Sequence, residues 1–269
     1  MRGELGDRQV RAELAGVNHS FPAADGSAVA TLNNVDLKVR GAEFISIIGP
    51  SGCGKTTIMN MIAGLIIPDS GSVLLGGEPV AGPQAGKVSY MFARDGLFPW
   101  RTAIDNVNLA MQMRRNKPMP GRAKEILASV GLAGFERHYP SQLSQGMRQR
   151  VALARTLAVE ADLWLMDEPF AALDAHTRTL IQDEFISIWE KSRKTAILVT
   201  HDLGEAITLS DRVVVMTARP GEIKAVYEID LPRPRSVIDL QNDSAFTSLY
   251  SQLWTDLRGE FASDRGTTT

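Results

Sequence analysis

Nine consecutive residues, Gly49-Pro50-Ser51-Gly52-Cys53-Gly54-Lys55-Thr56-Thr57, have the types and spacing that grip a phosphate. They fit the pattern G-x-x-x-x-G-K-[ST]. The glycines let successive backbone N–H groups curl toward one point and form an anion nest. A helix starting there adds the positive end of its dipole. The Lys55 ammonium can reach the β- and γ-phosphates of a nucleotide, and the Thr56 hydroxyl can hold Mg²⁺. A second pair, Asp167 and Glu168, follows the apolar run Leu163-Trp164-Leu165-Met166. A carboxylate where a strand ends can hold the Mg²⁺ shell. The next carboxylate can polarise a water that attacks the γ-phosphate. An apolar run ending in Asp-Glu is a weak signal alone and a strong one behind a phosphate loop.

Two further stretches are ambiguous on their own. Ser144 and Gly146, with Gln145 between them, open a helix. Free N–H groups and a hydroxyl there could bind an anion, or Ser144 could simply cap the helix. These residues alone leave both readings open. His201 follows a strand, where a lone histidine is more often structural than chemical.

These groups need particular elements to position them. Residues 43–48 read as a buried strand and 56–66 as a helix, the setting a phosphate loop requires. Upstream, residues 12–21 and 31–39 read as two strands joined by a Pro/Gly/Asp loop, with Phe21 closing the first. Residues 72–75 and 78–80 flank Gly76-Gly77 as a hairpin, and 88–92 reads as another strand. The pattern is then helical from 102 to about 158, in three segments that include 121–130 and 146–158. Strands return at 163–166, 195–200, 211–216 and 223–229, with a helix at 177–191. Strands alternating with helices argue for a mainly parallel sheet. Phe246, Leu249, Tyr250, Leu253, Trp254 and Leu257 share one face of an amphipathic helix, expected to dock on its own domain. The expected division is a loose N-terminus over 1–11, an α/β core over 12–92 and 159–230, a helical block over 93–158, and a tail over 231–269. Residues 263–269 are expected to fray.

The bulk properties narrow the function. The chain has 269 residues and a formal net charge of −2. Near-neutrality predicts no strong pull toward nucleic acid or anionic lipid. Cys53 is the only cysteine, so no disulfide can form within the chain, which suits a reducing cytosol. The polar first residues do not read as a secretory signal, and no apolar run reaches the roughly 18 residues of a membrane helix.

The stretch Leu143-Ser144-Gln145-Gly146-Met147, followed by Arg148-Gln149-Arg150, resembles the LSGGQ signature of ATP-binding cassette (ABC) ATPases. The motifs stand in that family's order over about residues 11–258. They are the phosphate loop, the signature, Asp167-Glu168 as Walker B, Ala171-Ala172-Leu173-Asp174 as the D-loop, and His201 as the switch histidine. The resemblance implies an α/β P-loop NTPase core with an antiparallel N-terminal β-subdomain and an inserted α-helical subdomain. It implies an ATPase using ATP and Mg²⁺, with Thr56 and Asp167 at the metal. Lys55, Glu168, His201 and Asp174 would serve catalysis, and Phe21 would stack on adenine. Ser144, Gln145 and Gly146 would meet the γ-phosphate bound to a second copy, in a head-to-tail pair closed on two ATP molecules. Membrane permease subunits would receive the motion.

Two departures stand out. The signature carries Gln145 and Met147 where the consensus has Gly and Gln. Ala93 in Met91-Phe92-Ala93-Arg94-Asp95 takes the place of the Q-loop glutamine, and alanine has no side-chain acceptor. Hydrolysis is expected to persist, because Thr56, Asp167, Glu168 and His201 are all present. The stretches Leu97-Phe98-Pro99-Trp100-Arg101-Thr102 and Ala218-Arg219-Pro220-Gly221 resemble the nitrate/sulfonate/taurine importer branch. That implies a peripheral subunit on the cytoplasmic face of a bacterial inner membrane, served by a periplasmic or lipid-tethered binding protein. A regulatory nucleotide-binding module and a soluble ATPase outside transport are the alternatives.

Overall fold

A computed structural model describes residues 9–115, 121–240 and 242–264. Its strands are β1 (Val10–Pro22), β2 (Ala28–Arg40), β3 (Phe44–Ile48), β4 (Ser70–Leu75), β5 (Glu78–Pro79), β6 (Val88–Met91), β7 (Leu163–Asp167), β8 (Thr195–Val199), β9 (Arg212–Met216) and β10 (Ile223–Glu228). Its α-helices are α1 (Lys55–Ile62), α2 (Ala103–Arg115), α3 (Arg122–Ser129), α4 (Gln145–Ala158), α5 (Ala175–Ser192), α6 (Leu203–Leu209), α7 (Val237–Leu240) and α8 (Ser244–Asp264).

Two sheets result. The first is antiparallel, in the order β2-β1-β4-β5, and the second runs β10-β9-β3-β8-β7-β6. In the second, β9, β3, β8, β7 and β6 pair in parallel, and β10 joins the edge antiparallel to β9. Every residue of β3, β7, β8 and β9 is buried. Continuous burial is what a strand covered on both faces demands, and it explains the unbroken apolar runs.

The pleat then sorts these residues into two cores. Phe44, Trp164, Met166, Ala196 and Leu198 pack with Val151 of α4 and with Phe185 and Trp189 of α5. Their neighbours Ile45, Leu165, Ile197 and Val199 face the other way, onto Ile58, Met59 and Ile62 of α1 and onto Leu14, Val17, Val35 and Leu37 of the antiparallel sheet. Alternation with period two assigns each strand residue to one side or the other.

The expected α/β core with an antiparallel sheet and a helical insert is what the chain forms. Boundaries differ in a few places. β1 starts at Val10, inside the stretch expected to be loose, because Val10 pairs with Arg40 of β2. Residues 1–8 and 265–269 lie outside the described residues. The helix after the phosphate loop ends at Ile62 rather than 66, and Leu65 and Ile67 are half exposed beyond it. Their apolar character had extended the helical pattern past its real end.

The C-terminal helix docks on its own chain, as expected. Leu253 and Leu257 are buried against Leu203, Val213 and Val215. The Tyr227 hydroxyl donates to Asp256 Oδ2 at 2.6 Å, tying α8 to β10. Tyr250 and Trp254 stay largely exposed at the margin of that face. Between β10 and α7 the segment Leu231-Pro232-Arg233-Pro234-Arg235 is an anchor. Arg235 is buried and donates to the carbonyls of Ile207, Thr208, Ser210, Ile229 and Leu231. Arg233 bonds Asp211 and Glu190 and lies 4.5 Å over the Trp189 ring.

Candidate functional site: a phosphate cleft

β3 delivers the chain to Gly49 in the middle of the parallel sheet, and α1 leaves it at Lys55. Gly54 caps α1 with φ of 99° and no side-chain cap, so the first-turn N–H groups are left for a ligand. Only glycine fits there: the backbone is left-handed, and a Cβ would run into Leu32 Cδ2. Lys55 Nζ donates to the carbonyls of Gly49 at 2.8 Å and Pro50 at 2.7 Å, which holds the ammonium over the loop. Cys53 is fully buried in the core beneath the loop, and burial pushes its thiol pKa up. Its side chain therefore packs rather than reacts, and only its backbone belongs to the nest.

Strand order brings the carboxylates to the loop. β8 lies beside β3, and β7 lies beside β8, with Asp167 level with Val199. The Thr56 hydroxyl donates to Asp167 Oδ2 at 2.8 Å. Burial raises the Asp167 pKa, and the Thr56 hydrogen bond opposes the rise. Two hard oxygen ligands in contact, beside a nest for phosphates, are a donor set that suits Mg²⁺, which takes the rest of its shell from phosphates and water. Glu168 has φ of 51°, a left-handed conformation costly for a residue with a Cβ. It is held there because its N–H donates to Val199 O at 2.9 Å. His201 Nδ1 stands 3.3 Å from Glu168 Oε1.

Together these groups line a cleft of about 470 Å³. Of the residues singled out from the sequence, Phe21, Gly49, Ser51, Gly52, Gly54, Lys55, Thr56, Thr57, Asp167, Glu168 and His201 line it. Pro50 and Cys53 are buried behind the loop. Phe21 is part exposed at one end, its ring edge-on to His19.

Ser144, Gln145 and Gly146 do not line this cleft. Ser144 caps α4, accepting from Met147 N at 3.2 Å. Asp174 caps α5 through Thr177 N, and that hydrogen bond holds its carboxyl below the usual range. Ala93 is exposed and outside the cleft as well.

Sequence reasoning missed four participants. Thr31 and Arg219 line the cleft, brought there by strand pairing that no local motif records. Gln149 is buried and donates through Nε2 to Glu168 O at 2.7 Å, while its Oε1 accepts from Ala172 N at 2.8 Å. It thereby ties α4 to the strained carboxylate. One signal was readable: a glutamine three, four and seven residues before the buried Ala152, Leu153 and Thr156. Glu205 is fully buried under the histidine turn, and its Oε2 accepts from Thr200 Oγ1 at 3.0 Å. Burial pushes its pKa up to about 8, so it is mostly protonated at neutral pH.

α4 also holds the loop that follows β6. Arg148 Nε donates to Asp95 Oδ2 at 3.0 Å, and Arg155 donates to the carbonyls of Asp95 and Gly96 at 2.7 Å each. The loop around Ala93 is thus fastened to the helix that Ser144 caps. A family model described as "ABC transporter" matches residues 32–171, from β2 through Glu168 to the turn after it.

The chain belongs to the ABC transporter family.

Relatives of this ABC ATPase agree. It is 51% identical over 214 residues to an uncharacterized ABC transporter ATP-binding protein of Methanocaldococcus jannaschii, covering 78% of this chain and 79% of that one. It is 43% identical over 208 residues to an aliphatic sulfonates import ATP-binding protein, SsuB, of Bacillus cereus, covering 77% and 82%. It is 42% identical over 242 residues to the bicarbonate transport ATP-binding protein CmpC of Synechococcus elongatus, covering 88% of this chain and 36% of that one. A solved ATP-binding cassette, described as dimeric in a post-hydrolysis state with ADP and Pi, superposes with a TM-score of 0.74 at 31% identity, covering 82% of this chain and all of that one.

Proposed function

We propose that this ABC ATPase powers import of a small anion such as nitrate, a sulfonate or taurine, through separate membrane permease subunits. A periplasmic or lipid-tethered protein would select the cargo, and the chain would sit on the cytoplasmic face of the membrane. The observation that carries the nucleotide chemistry is the convergence of Lys55, Thr56, Asp167, Glu168 and His201 on one cleft. The import branch is supported by the SsuB and CmpC likenesses.

In this reading the nest of residues 49–57 binds the phosphates and Lys55 offsets their charge. Thr56 and Asp167 would hold Mg²⁺, which neutralises charge on the β- and γ-phosphate oxygens when bound. Glu168 orients and deprotonates the attacking water, and His201 holds the γ-phosphate end against it. Phe21 offers a face to the adenine. Ser144, Gln145 and Gly146 complete the site of a second copy, with Asp174 beside them, which accounts for their position outside the cleft of their own chain.

Residues 93–158 would carry the motion to the permease. Trp100 is 70% exposed and tilted on Phe98, on a loop that buried Asn106 stitches together. Such a rigid, aromatic projection suits a protein contact. Hydrolysis in this scheme does not need an acceptor at Ala93. The test is ATP turnover of the purified chain with its permease against a Glu168→Gln control. The expected result is a loss of about 10²-fold or more on substitution. Equal rates would refute the assigned role.

A further inference from the structure

We propose that Arg219 is a nucleotide-binding residue that grips the part of the molecule common to ATP and ADP. This rests on the reading of the cleft as a nucleotide site.

Arg219 is exposed and lines the cleft together with Phe21, Thr31 and the phosphate loop. Among the described residues no hydrogen bond or ion pair engages its side chain, in contrast to Lys55, whose ammonium is already bonded to two loop carbonyls. An exposed, unpaired arginine lining a cleft built for a polyanion is available to a ligand, and its planar fork of donors is well matched to phosphate oxygens.

Its position is fixed by the backbone around it. Gly221 N donates to Thr31 O at 2.8 Å, and Asn33 N donates to Gly221 O at 3.0 Å, clipping the segment to β2. A Cβ on Gly221 would collide with the Cys53 carbonyl, so the segment lies flat on the phosphate loop. The Thr217 hydroxyl accepts from Glu222 N at 2.9 Å across the base of the turn. Ala218 N donates to Glu260 on α8 at 3.0 Å. A loop held from three sides leaves only the arginine side chain to be ordered on binding.

Strand order decides which part of the nucleotide it meets. Arg219 follows β9, on one side of β3; Glu168 follows β7 and His201 follows β8, on the other side. The segment also joins β2 at Leu32, three residues beyond Val29, which pairs with Phe21. Arg219 therefore approaches from the edge between the Phe21 end and the start of α1, where ribose and α-phosphate would lie. The γ-phosphate end, marked by Glu168 and His201, is across the loop.

The experiment measures Kd for ATP and for ADP, by calorimetry, on the full-length wild type, Arg219→Ala and Arg219→Lys, with the nucleotide-free Tm of each. The expected result is a rise of about tenfold in both Kd values for Arg219→Ala, by the same factor, with partial recovery in Arg219→Lys. The nucleotide-free Tm should stay within about 2 °C of wild type, as for a surface substitution. Unchanged Kd values would overturn the proposal, and so would a loss confined to ATP, which would move the contact to the γ-phosphate. A lowered Tm with equal losses in both variants would assign Arg219 a structural role instead. Failure of the wild type to bind either nucleotide would sink the cleft reading itself, a result distinct from all of these.

Discussion

Glu205 lies beneath the His201 turn with its carboxyl withdrawn from water. It is fully buried, with Asp202 and Glu168 as acidic neighbours and Arg178 as the nearby cation, and burial lifts its pKa from 4.5 to about 8. Between those two values the folded chain keeps a proton that the unfolded chain releases. Stability therefore falls as pH rises through that window. Glu205→Gln stays neutral throughout and still offers an acceptor to Thr200. Thermal unfolding from pH 5 to 9 should show a flatter Tm profile for the variant, with its advantage over wild type growing toward pH 9. Parallel profiles would mean that Glu205 is not held neutral. The residues of the cleft differ sharply in how readily the sequence revealed them. Lys55, Thr56, Asp167 and Glu168 lie in contiguous motifs whose chemistry can be read directly. Thr31 and Arg219 reach the cleft through pairing across the fold, and Gln149 shows itself only by its place on the buried face of α4.

At the level of elements, the tail is the part whose role the sequence concealed. Leu231-Pro232-Arg233-Pro234-Arg235 reads as an extended stretch, because its prolines fix φ and cannot continue a helix. The fold instead buries Arg235, whose guanidinium satisfies five carbonyls from α6, the turn after it and the stretch that follows β10. Burial holds its pKa down at about 9. Arg235→Ala leaves those carbonyls short of donors and should cost about 2–4 kcal/mol. That corresponds to a fall in Tm of roughly 5–15 °C at about 2–4 °C per kcal/mol. Arg235→Lys, with three donors in place of five, should recover less than half of the loss. A change below about 0.5 kcal/mol, measured by denaturant unfolding, would show that the anchor is dispensable. Buried strands were the most legible elements, since a run such as Val213-Val214-Val215 admits few alternatives. Helix ends were the least legible, as the premature stop of α1 illustrates: Leu65, Ile66 and Ile67 continue an apolar run that no longer belongs to the helix.

The whole molecule presents a cleft that gathers the phosphate loop, Asp167, Glu168 and His201 but not Ser144, Gln145 or Gly146. In one chain, Ser144 and Gly146 sit at the start of α4, outside that cleft, and among the described residues Ser144 bonds only with its own helix. The central claim is that a second copy supplies these groups, so that ATP joins two chains. The α4 helix would connect the two tasks, since it carries Ser144 at its start, Gln149 at the Glu168 carbonyl, and Arg148 and Arg155 at the loop near Ala93. The most direct test is the solution mass, by light scattering, of Glu168→Gln in saturating ATP and Mg²⁺, with and without a second substitution, Ser144→Arg. The account predicts the mass of two chains for Glu168→Gln with ATP, and of one chain when Ser144→Arg is added. Two chains in both cases, or one chain in both cases, would contradict it.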